Sequence, residues 1–470
     1  MPKQSNKKEI LQSPKGTRDI LPQDIPFWEY VEAKARGVGE YYGFKPIRTP
    51  HIEKAEIFTA SLGESSDVVE KQMYTFRTRG GDGLALRPEG TVSVMRSFIQ
   101  HGMQSWPQPV MLMYNGSFFR HENPQRGRFR EFGQAGFEII GEAGAIADAT
   151  VIQTASLVLA ELDIGPYIVN MNTLGDKNCR PNYRKELVNY YRRKINYLCK
   201  DCRRRLKENP LRLLDCMEEK CAELKKDAPQ MIEYVCDECK RHFREVLEYL
   251  DKLKVPYYLN PHLVRGLDYY SRTVFEIFLQ PSSESAAQPE PVEAVEKKDI
   301  AKPEGETEVS APVKSESDPE GPLPALAVIS GGRYDYLAET IGGKKFPGVG
   351  AALGIDRLVE ELLKKRPEVA KAGAPKIFFI QLGPLAKQQS LVLLEEFRKM
   401  HLSVASSLAK DSLKAQLRIA DIAGVQFALI LGQKEAIDGT IIIRDMNSGV
   451  QETVPQSSVA EHLKKMKKNK

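Results

Sequence analysis

The sequence predicts an α/β fold: an α+β core that carries a helical insertion, followed by a C-terminal α/β domain with a mixed sheet. Three observations lead to this prediction. Strand-like apolar runs alternate with helical periods in two regions of the chain. A strongly helical stretch, rich in Arg and Lys, separates these regions, and the last part of the chain alternates short strands with helices.

Length and composition set the broad class. A chain of 470 residues is too long for one ordinary core, so two or three domains are expected. Its 41% hydrophobic and 28% charged residues are typical of a soluble globular protein. No apolar run approaches the ~18 residues of a membrane span, and Met1–Gln12 lacks the pattern of a targeting segment. We therefore expect a cytoplasmic protein with no membrane partner.

The pattern divides the chain into five regions. They are the first part of the core at 1–170, the helical insertion at 171–262, the second part of the core at 263–365, a proline-bearing linker at 366–375 and the C-terminal domain at 376–470. Apolar runs such as Val110–Tyr114 and Val274–Phe278 predict strands within the core, and a helix is expected from Gly354 to Lys365.

The C-terminal domain is predicted in detail by its periodicity. The expected order is strand Ile377–Gln381, helix Leu385–Met400, strand Leu402–Ala405, helix Ser412–Ala423, strand Phe427–Leu431, a hairpin of Thr440–Arg444 with Gln451–Val454, and a final helix. Alternation on this scale is typical of a compact α/β domain.

Residues 281–322 interrupt the second part of the core. This segment has eleven acidic residues, four lysines and no aromatic residue, a composition that predicts a disordered loop between two strands. Since the whole chain has a formal charge of +5, the remainder carries about twelve net positive charges. Such a balance suits a polyanionic partner, and a solvated basic surface is the alternative.

The run 119–130 concentrates four arginines between two strand-like runs, Val110–Tyr114 and Phe137–Ile140, and so predicts a long hairpin. These arginines would repel one another unless an anion lay among them, and the planar guanidinium group matches phosphate oxygens. Surface ion pairs with Glu122 and Glu131 are the alternative reading of the same residues.

Glycines are dense in the run 348–354, which misses the dinucleotide-binding fingerprint by one residue. The sequence also lacks a phosphate-binding P-loop motif. We therefore expect a glycine-rich strand that allows close approach of its backbone to a ligand.

Two Cys-x-x-Cys pairs suggest a metal site in the insertion. We expect Cys199, Cys202, Cys236 and Cys239 to hold a structural Zn²⁺ ion, with Cys216 as an alternative ligand. The 33 residues between the pairs exceed the usual ~15–20. Reduced thiols and redox chemistry therefore remain open as alternatives. The ion would staple an insertion that has a small core of its own.

The arginine-bearing run resembles the second signature of the class II aminoacyl-tRNA synthetases, Phe-Arg-x-Glu followed by Gly-Arg-x-Arg-x-Phe. The run 348–357 resembles the third signature, and the segment around Tyr42 and 44–50 the first. This resemblance implies an antiparallel sheet flanked by helices, a homodimer built on the first signature, and ATP used with Mg²⁺.

Three further runs narrow the resemblance to the histidyl-tRNA synthetase family: Leu-Arg-Pro-Glu-Gly-Thr at 86–91, Leu-Val-Arg-Gly-Leu-Asp-Tyr-Tyr at 263–270, and Gly-Gly-Arg-Tyr-Asp at 331–335. Together the matches cover nearly the whole chain outside 281–322. They imply a ligase that activates L-histidine with ATP to histidyl-adenylate and pyrophosphate. It then transfers histidine to the 3′-terminal adenosine of tRNA(His), while the C-terminal domain binds the anticodon.

The resemblance also implies a role for each matched residue. Arg120 and Arg265 would be catalytic and bracket the α-phosphate. Histidine would be bound by Glu89, Thr91, Gln134, Glu138, Tyr269, Tyr270 and Tyr334, and ATP by Arg120, Glu122, Arg128, Arg265 and Arg357. Without the family, a Glu and two Tyr on strands would more often be core edges or surface pairs.

One position departs from the family pattern. Many members carry arginine where this chain has Asn123, and that arginine helps to read the 5′ guanosine of the tRNA. Gln125 remains available for the acceptor end, and Arg126 is expected to compensate. The departure leaves open how the acceptor end is recognised.

Two rival functions share parts of this pattern. A non-catalytic histidine sensor, similar to the regulatory subunit of ATP phosphoribosyltransferase, generally lacks both the run 263–270 and the C-terminal domain. A synthetase for proline or threonine would share the C-terminal domain but not the histidine-specific runs. The presence of all these features favours the histidine ligase.

Overall fold

The structure is a computed structural model that describes residues 11–64, 66–123, 127–280, 327–371, 376–408 and 411–468. The chain divides into two compact units, Met1–Pro367 and Glu368–Lys470. The segment 281–322, predicted as a disordered loop, and residues 372–375 of the predicted linker lie outside the described residues.

A large sheet organises the first unit. Its strands and those of a smaller sheet are β1 (Lys45–Pro46), β2 (Ile52–Lys54), β3 (Thr75–Arg77), β4 (Gly83–Leu86), β5 (Val110–Phe119), β6 (Glu131–Ile140), β7 (Tyr167–Thr173), β8 (Tyr257–Leu259), β9 (Ser271–Leu279), β10 (Ile329–Arg333) and β11 (Gly348–Gly354). The large sheet has the order β1-β5-β6-β11-β10-β9-β7-β8, and β2-β4-β3 form the small one. Inner neighbours are antiparallel, whereas the edge pairs β1–β5 and β7–β8 are parallel.

Helices flank this sheet, as predicted. They are α1 (Ile25–Tyr41), α2 (Ala55–Leu62), α3 (Thr91–Gln100), α4 (Ala145–Leu162), α5 (Arg180–Arg193), α6 (Lys200–Glu208), α7 (Glu219–Lys225), α8 (Asp237–Leu253), α9 (Leu337–Thr340) and α10 (Ile355–Lys365). Helices α5 to α8 fall in the stretch predicted to be helical, and α10 confirms the helix expected after the glycine-rich strand.

The predicted hairpin is formed by β5 and β6. Their register runs from Val110 opposite Ile140 to Phe119 opposite Glu131, so the arginine-bearing run lies at the tip. Strand β11 pairs with the other edge of β6 and places Gly350 opposite Glu138. The glycine-rich run and the arginine hairpin are therefore neighbours in one sheet.

Helix α4 corrects the expectation that no apolar run approaches the length of a membrane span. By length and composition alone it could cross a membrane, with a mean hydropathy of 1.4 over 18 residues, but 67% of it is buried inside the fold. Near its start, Asp148 is fully buried and pairs with the equally buried Arg333 of β10. Burial alone would raise the pKa of Asp148, but Arg333 and His242 hold it well below its usual range. This is a core helix with a paired internal charge.

The second unit has the mixed sheet that was predicted. Its elements are β12 (Ile377–Gln381), α11 (Pro384–Lys399), β13 (Val404–Ser406), α12 (Leu413–Ile422), β14 (Phe427–Leu431), α13 (Gln433–Asp438), β15 (Thr440–Asp445), β16 (Gln451–Pro455) and α14 (Val459–Lys468). Strand β12 lies parallel to β13 and β14, and β14-β15-β16 continue antiparallel. Of these elements, the short helix α13 was not expected.

Candidate active site

A pocket lies on the large sheet beside the start of α3 and the arginine hairpin. Most residues proposed from the sequence line this pocket: Glu89, Thr91, Arg120, Glu122, Arg128, Gln134, Arg265, Tyr269, Tyr270, Tyr334 and Arg357. Glu138 lies directly behind them and is hydrogen-bonded to two of them. The structure thus brings together residues that are up to about half the chain apart in sequence.

Glu138 is the central polar group in the wall of this pocket. It has no exposed surface, and it accepts hydrogen bonds from the Thr91 hydroxyl at 2.7 Å and the Tyr334 hydroxyl at 2.5 Å. The space it occupies depends on Gly350, where a Cβ atom would stand 1.7 Å from Oε2 of Glu138. The close approach predicted for the glycine-rich strand is therefore made by this carboxyl group.

Burial raises the pKa of Glu138 to about 8, even though the hydrogen bonds from Tyr334 and Thr91 oppose the shift. The neighbouring carboxylate of Glu89 adds to the increase. The ligand-free pocket therefore keeps Glu138 largely protonated at neutral pH. A protonated carboxyl group at this position can share its proton with a bound ligand or donate it to that ligand.

Because the folded protein retains a proton on Glu138 that the unfolded chain has lost, ligand-free stability should fall with pH between about 4.5 and 8. Glu138→Gln should remove this contribution. We expect the difference in the free energy of unfolding, variant minus wild type, to increase by up to about 1.4 kcal/mol for each pH unit. Urea unfolding monitored across this range measures the difference. A constant difference would contradict the assigned protonation state.

The start of α3 forms the next part of the wall. The carboxylate of Glu89 accepts hydrogen bonds from the backbone N–H groups of Thr91 and Val92 at 2.9 and 2.7 Å and from the Tyr269 hydroxyl at 3.2 Å. Burial raises the pKa of Glu89, while these donors oppose the increase. Within the described residues, Oε1 of Gln134 is buried without a hydrogen-bond partner and lies on the same wall. An acceptor left unpaired in this way favours a ligand that donates.

Tyr334 reaches the pocket through an irregularity of β10. The register of β10 against β9 shifts between Gly332 and Arg333, which redirects the following side chains. Arg333 then points into the core, where it pairs with Asp148, while Tyr334 turns to the pocket. A Cβ atom at Gly348 would stand 2.2 Å from the Tyr334 ring, so the glycine-rich strand makes room for this residue as well.

Positive charge gathers on the opposite side of the pocket. Nε of Arg120 donates to the Pro88 carbonyl at 2.9 Å, which fixes the guanidinium group over the pocket. Glu122 lies 4.0 Å from Arg120 and 3.7 Å from Arg128, distances that give only loose pairing. Burial and then Arg128 lower the pKa of Arg357. Arginines held this close by backbone carbonyls, with Glu122 only loosely paired, form a site for a strongly charged anion.

Arg265 adds a further positive charge from the loop between β8 and β9. Its guanidinium group forms an ion pair with Glu276 of β9 and lies 5.5 Å above the centre of the Tyr270 ring. The run 263–270 therefore brings a cation and two tyrosines to the same pocket. The rings of Tyr269 and Tyr270 are 4.5 Å apart, and Tyr269 also contacts Tyr334 at 6.0 Å.

Sequence reasoning missed several supporting residues. Asp356 lies on the pocket wall and accepts from the Gly133 N–H at 2.6 Å and from Arg18 at 2.7 Å. Arg180 donates to the carbonyl of Tyr270, which it meets only through the fold. No local pattern marks Arg180, since its partner is 90 residues away.

The proposed acceptor-end residues cannot be placed in the site. Gln125 and Arg126 lie outside the described residues, and Asn123, which is described, is exposed. Their assignment remains a prediction from the sequence.

The cysteines form a different arrangement from the one predicted. Cys199 and Cys202 lie with Cys216 and Cys221, whereas Cys236 and Cys239 lie with Cys179 and Asp176. The prediction of one site from both Cys-x-x-Cys pairs was wrong. The two pairs begin different helices, α6 and α8. The first pair has nearer ligands in the following turn and α7, and the second in the turn that leads from β7 to α5.

Two family models match the chain. The model described as histidyl-tRNA synthetase matches residues 16–288, and the one described as anticodon binding domain matches 376–466. A histidine–tRNA ligase of Caldicellulosiruptor saccharolyticus is 39% identical over 454 residues, covering 97% of this chain and 99% of the relative. A histidine–tRNA ligase of Dehalococcoides mccartyi is 38% identical over 456 residues, covering 97% and 100%.

Solved structures of histidyl-tRNA synthetases are also similar to this chain. The crystal structure of apo histidyl-tRNA synthetase from S. aureus has a TM-score of 0.73 and 29% identity, and the match covers 96% of this chain and 99% of that one. The histidyl-tRNA synthetase of Nostoc sp. PCC 7120 has a TM-score of 0.62 at 20% identity, covering 97% and 100%, and this match bears on the fold alone.

Proposed function

Since the chain belongs to the histidyl-tRNA synthetase family, we propose that its pocket joins L-histidine to ATP and that the enzyme then charges tRNA(His). The observation that carries this proposal is the position of Glu138, buried between Thr91 and Tyr334 and beside a group of loosely paired arginines. One side of the pocket suits an imidazole ring, and the other suits phosphate.

Recognition of histidine would use two groups of pocket residues, one for the imidazole ring and one for the amino group. Glu138 and Tyr270 would serve the two ring nitrogens, and Tyr334 would close the pocket over the ring. The amino group would bind to Glu89, Thr91 and the unpaired Oε1 of Gln134, with the Tyr269 hydroxyl holding Glu89 in place. An apolar analogue would leave these buried groups without partners, which gives strong discrimination.

The proton on Glu138 fits this mode of binding. A neutral imidazole beside a protonated carboxyl group holds the same number of protons as an imidazolium ion beside a carboxylate. Histidine can therefore enter as the neutral ring and form a charge-assisted pair inside the pocket without taking a proton from solvent. Thr91 and Tyr334 already donate to this carboxyl group and would stabilise its charged form.

Activation would be an in-line attack by the histidine carboxylate on the α-phosphorus of ATP. The carboxylate oxygen forms the new P–O bond while the bond to pyrophosphate breaks, and charge grows on the equatorial oxygens. Arg120 and Arg265 both line the pocket, and they would bracket the α-phosphate and stabilise that charge. Glu122 would lie against the adenine, and Arg128 and Arg357 would hold the γ-phosphate.

ATP would be used with Mg²⁺, which neutralises the pyrophosphate when it is bound. The carboxylates on the pocket wall are Glu89, Glu122 and Asp356, and two of these are already engaged by backbone amides. Mg²⁺ needs few protein ligands, because it binds mainly through substrate phosphates and keeps several waters. The acidic residues fit an ion that arrives with ATP. A metal ion held by the cysteines would lie apart from the reaction, since the described residues that line this pocket include no cysteine.

For the tRNA, we propose that residues 376–470 bind the anticodon and that 171–262 form an insertion between the catalytic parts 1–170 and 263–365. The match to an anticodon binding domain supports the first assignment. Gln125 and Arg126 would meet the acceptor end from the tip of the hairpin. The 3′-terminal hydroxyl would then attack the adenylate carbonyl and release AMP.

We also propose a cytoplasmic homodimer that uses the first signature, around α1 and β1, as its interface. An exposed apolar side chain supports it: Tyr41, the last residue of α1, is 85% exposed. Sedimentation equilibrium should give twice the chain mass of 52.9 kDa. A mass of one chain at micromolar concentration would contradict the dimer.

Histidine-dependent exchange of pyrophosphate into ATP tests the activation step, and charging of tRNA(His) tests the transfer. We expect exchange with histidine alone among the amino acids. Equal exchange with proline or threonine would favour a sister synthetase. Histidine binding without exchange would favour the sensor.

A further inference from the structure

The thiols of the insertion form two separate clusters that together use all seven cysteines of the sequence. Cys199, Cys202, Cys216 and Cys221 make the first, and three of its members are buried. Asp176, Cys179, Cys236 and Cys239 make the second. No disulfide joins any of these cysteines.

The spacing within each cluster fits one metal ion. The four candidate ligand atoms lie within 4.8 Å of one another in both clusters. Sγ of Cys199 is 3.9 Å from Sγ of Cys216, and Sγ of Cys179 is 3.9 Å from Sγ of Cys239. A tetrahedral Zn²⁺ ion with Zn–S bonds of about 2.3 Å separates its sulfurs by about 3.8 Å. A disulfide would need about 2.05 Å.

Backbone N–H groups donate to three of the seven sulfurs. The N–H of Cys202 donates to Sγ of Cys199, and that of Cys199 donates to Sγ of Cys221, both at 3.4 Å. In the second cluster the N–H of Cys236 donates to Sγ of Cys179 at 3.1 Å. Donors of this kind orient metal ligands and stabilise their charge. The same construction in two places argues against accidental contact of reduced thiols.

Both Cys-x-x-Cys pairs sit at the start of a helix. Cys199 is the N-cap of α6 and Cys236 the N-cap of α8, so the second cysteine of each pair lies in the first turn. The partly positive end of each helix faces the cluster, which favours a site with net negative charge. Four anionic ligands around one divalent ion carry such a charge.

We propose that the chain binds two structural Zn²⁺ ions, one in the four-cysteine cluster and one in the cluster of Asp176 with three cysteines. The first ion fastens α6 to the following turn and to α7. The second joins the turn between β7 and α5 to the start of α8, where Cys239 lies 60 residues after Cys179. Arg180, next to Cys179, donates to the Tyr270 carbonyl, so the second ion lies at the junction of the insertion with the pocket.

Metal content of the purified full chain tests the proposal without any substrate, so its failure is distinct from failure of the proposed ligase activity. We expect two equivalents of zinc per chain by mass spectrometry. Cys199→Ser and Cys236→Ser should each lose one equivalent. Serine is a preferred N-cap, so each variant keeps its helix start while removing one thiolate. Asp201→Asn and Asp237→Asn, in the first turns of the same helices, should keep two.

Cobalt substitution of the wild-type chain provides a second measurement that does not depend on folding of the variants. Two equivalents of Co²⁺ should produce thiolate-to-cobalt absorption, with the bands of tetrahedral coordination. The proposal would be overturned if fewer than two equivalents of metal bound after reconstitution. Disulfides in protein purified under reducing conditions, or iron in place of zinc, would also overturn it. Loss of both equivalents in either serine variant would overturn the independence of the two sites.

Discussion

Arg265→Gln should lower kcat for histidine-dependent pyrophosphate exchange by about 10²–10³-fold, the usual effect of removing one preorganised group from a developing negative charge. Arg265 is held on the pocket wall by its ion pair with Glu276 and by the Tyr270 ring, so its charge is in place before ATP binds. Because the interaction grows only as the transition state forms, kcat should fall more than the KM for ATP rises.

The ion pair requires its own control, because the substitution also leaves Glu276 without its partner. Glu276→Gln and the double variant complete a cycle that separates the two effects. If Arg265 acts on the phosphate, the double variant stays as slow as Arg265→Gln. Recovery of activity in the double variant would show that the loss came from an unpaired carboxylate. Arg204→Gln, on the exposed face of α6, should leave exchange unchanged.

Glu138→Gln should reduce kcat/KM for histidine by about 10–100-fold, which corresponds to the loss of one charge-assisted hydrogen bond of about 1.5–3 kcal/mol. Glutamine keeps the shape of the side chain and a carbonyl that can accept from Thr91. It cannot share the proton that burial holds on Glu138. The loss should therefore appear mainly in the KM for histidine, while the KM for ATP changes little.

Exchange kinetics at varied histidine measure this effect, and Glu161→Gln, an exposed carboxylate on α4, is the matched control. An unchanged KM for histidine in Glu138→Gln would remove Glu138 from the recognition of the ring. A parallel rise in the KM for ATP would point to a general disturbance of the pocket.

Periodicity predicted much of the fold. The strands Ile377–Gln381 and Phe427–Leu431 were placed to the residue, because each is a buried apolar run bounded by turn residues. The β5–β6 hairpin was also expected, although its strands extend further than the apolar runs. Helix α13 was missed, since six residues are too few to show a helical period.

The pocket was predictable as a set of residues but not as an arrangement. The family resemblance identified Glu138 and Tyr334, yet the raised pKa of Glu138 comes from its burial, and only the sheet register places Gly350 opposite this residue. The prediction of one metal site from the two cysteine pairs was wrong for the same reason. Spacing suggested that Cys202 and Cys236 share one ion, whereas the fold gives each pair ligands from other segments.

The pairing of Asp148 with Arg333 also bears on how the protein is made. The two residues are 185 positions apart, so Asp148 leaves the ribosome long before its partner exists. At translation rates of about 5–20 residues per second, the delay is on the order of 10–40 s. During this delay the apolar helix α4 lacks Arg333, although His242, the other partner of Asp148, is made in the same interval. The strand β10 that carries Arg333 is therefore made only after the whole insertion, so the buried ion pair can form only late in synthesis.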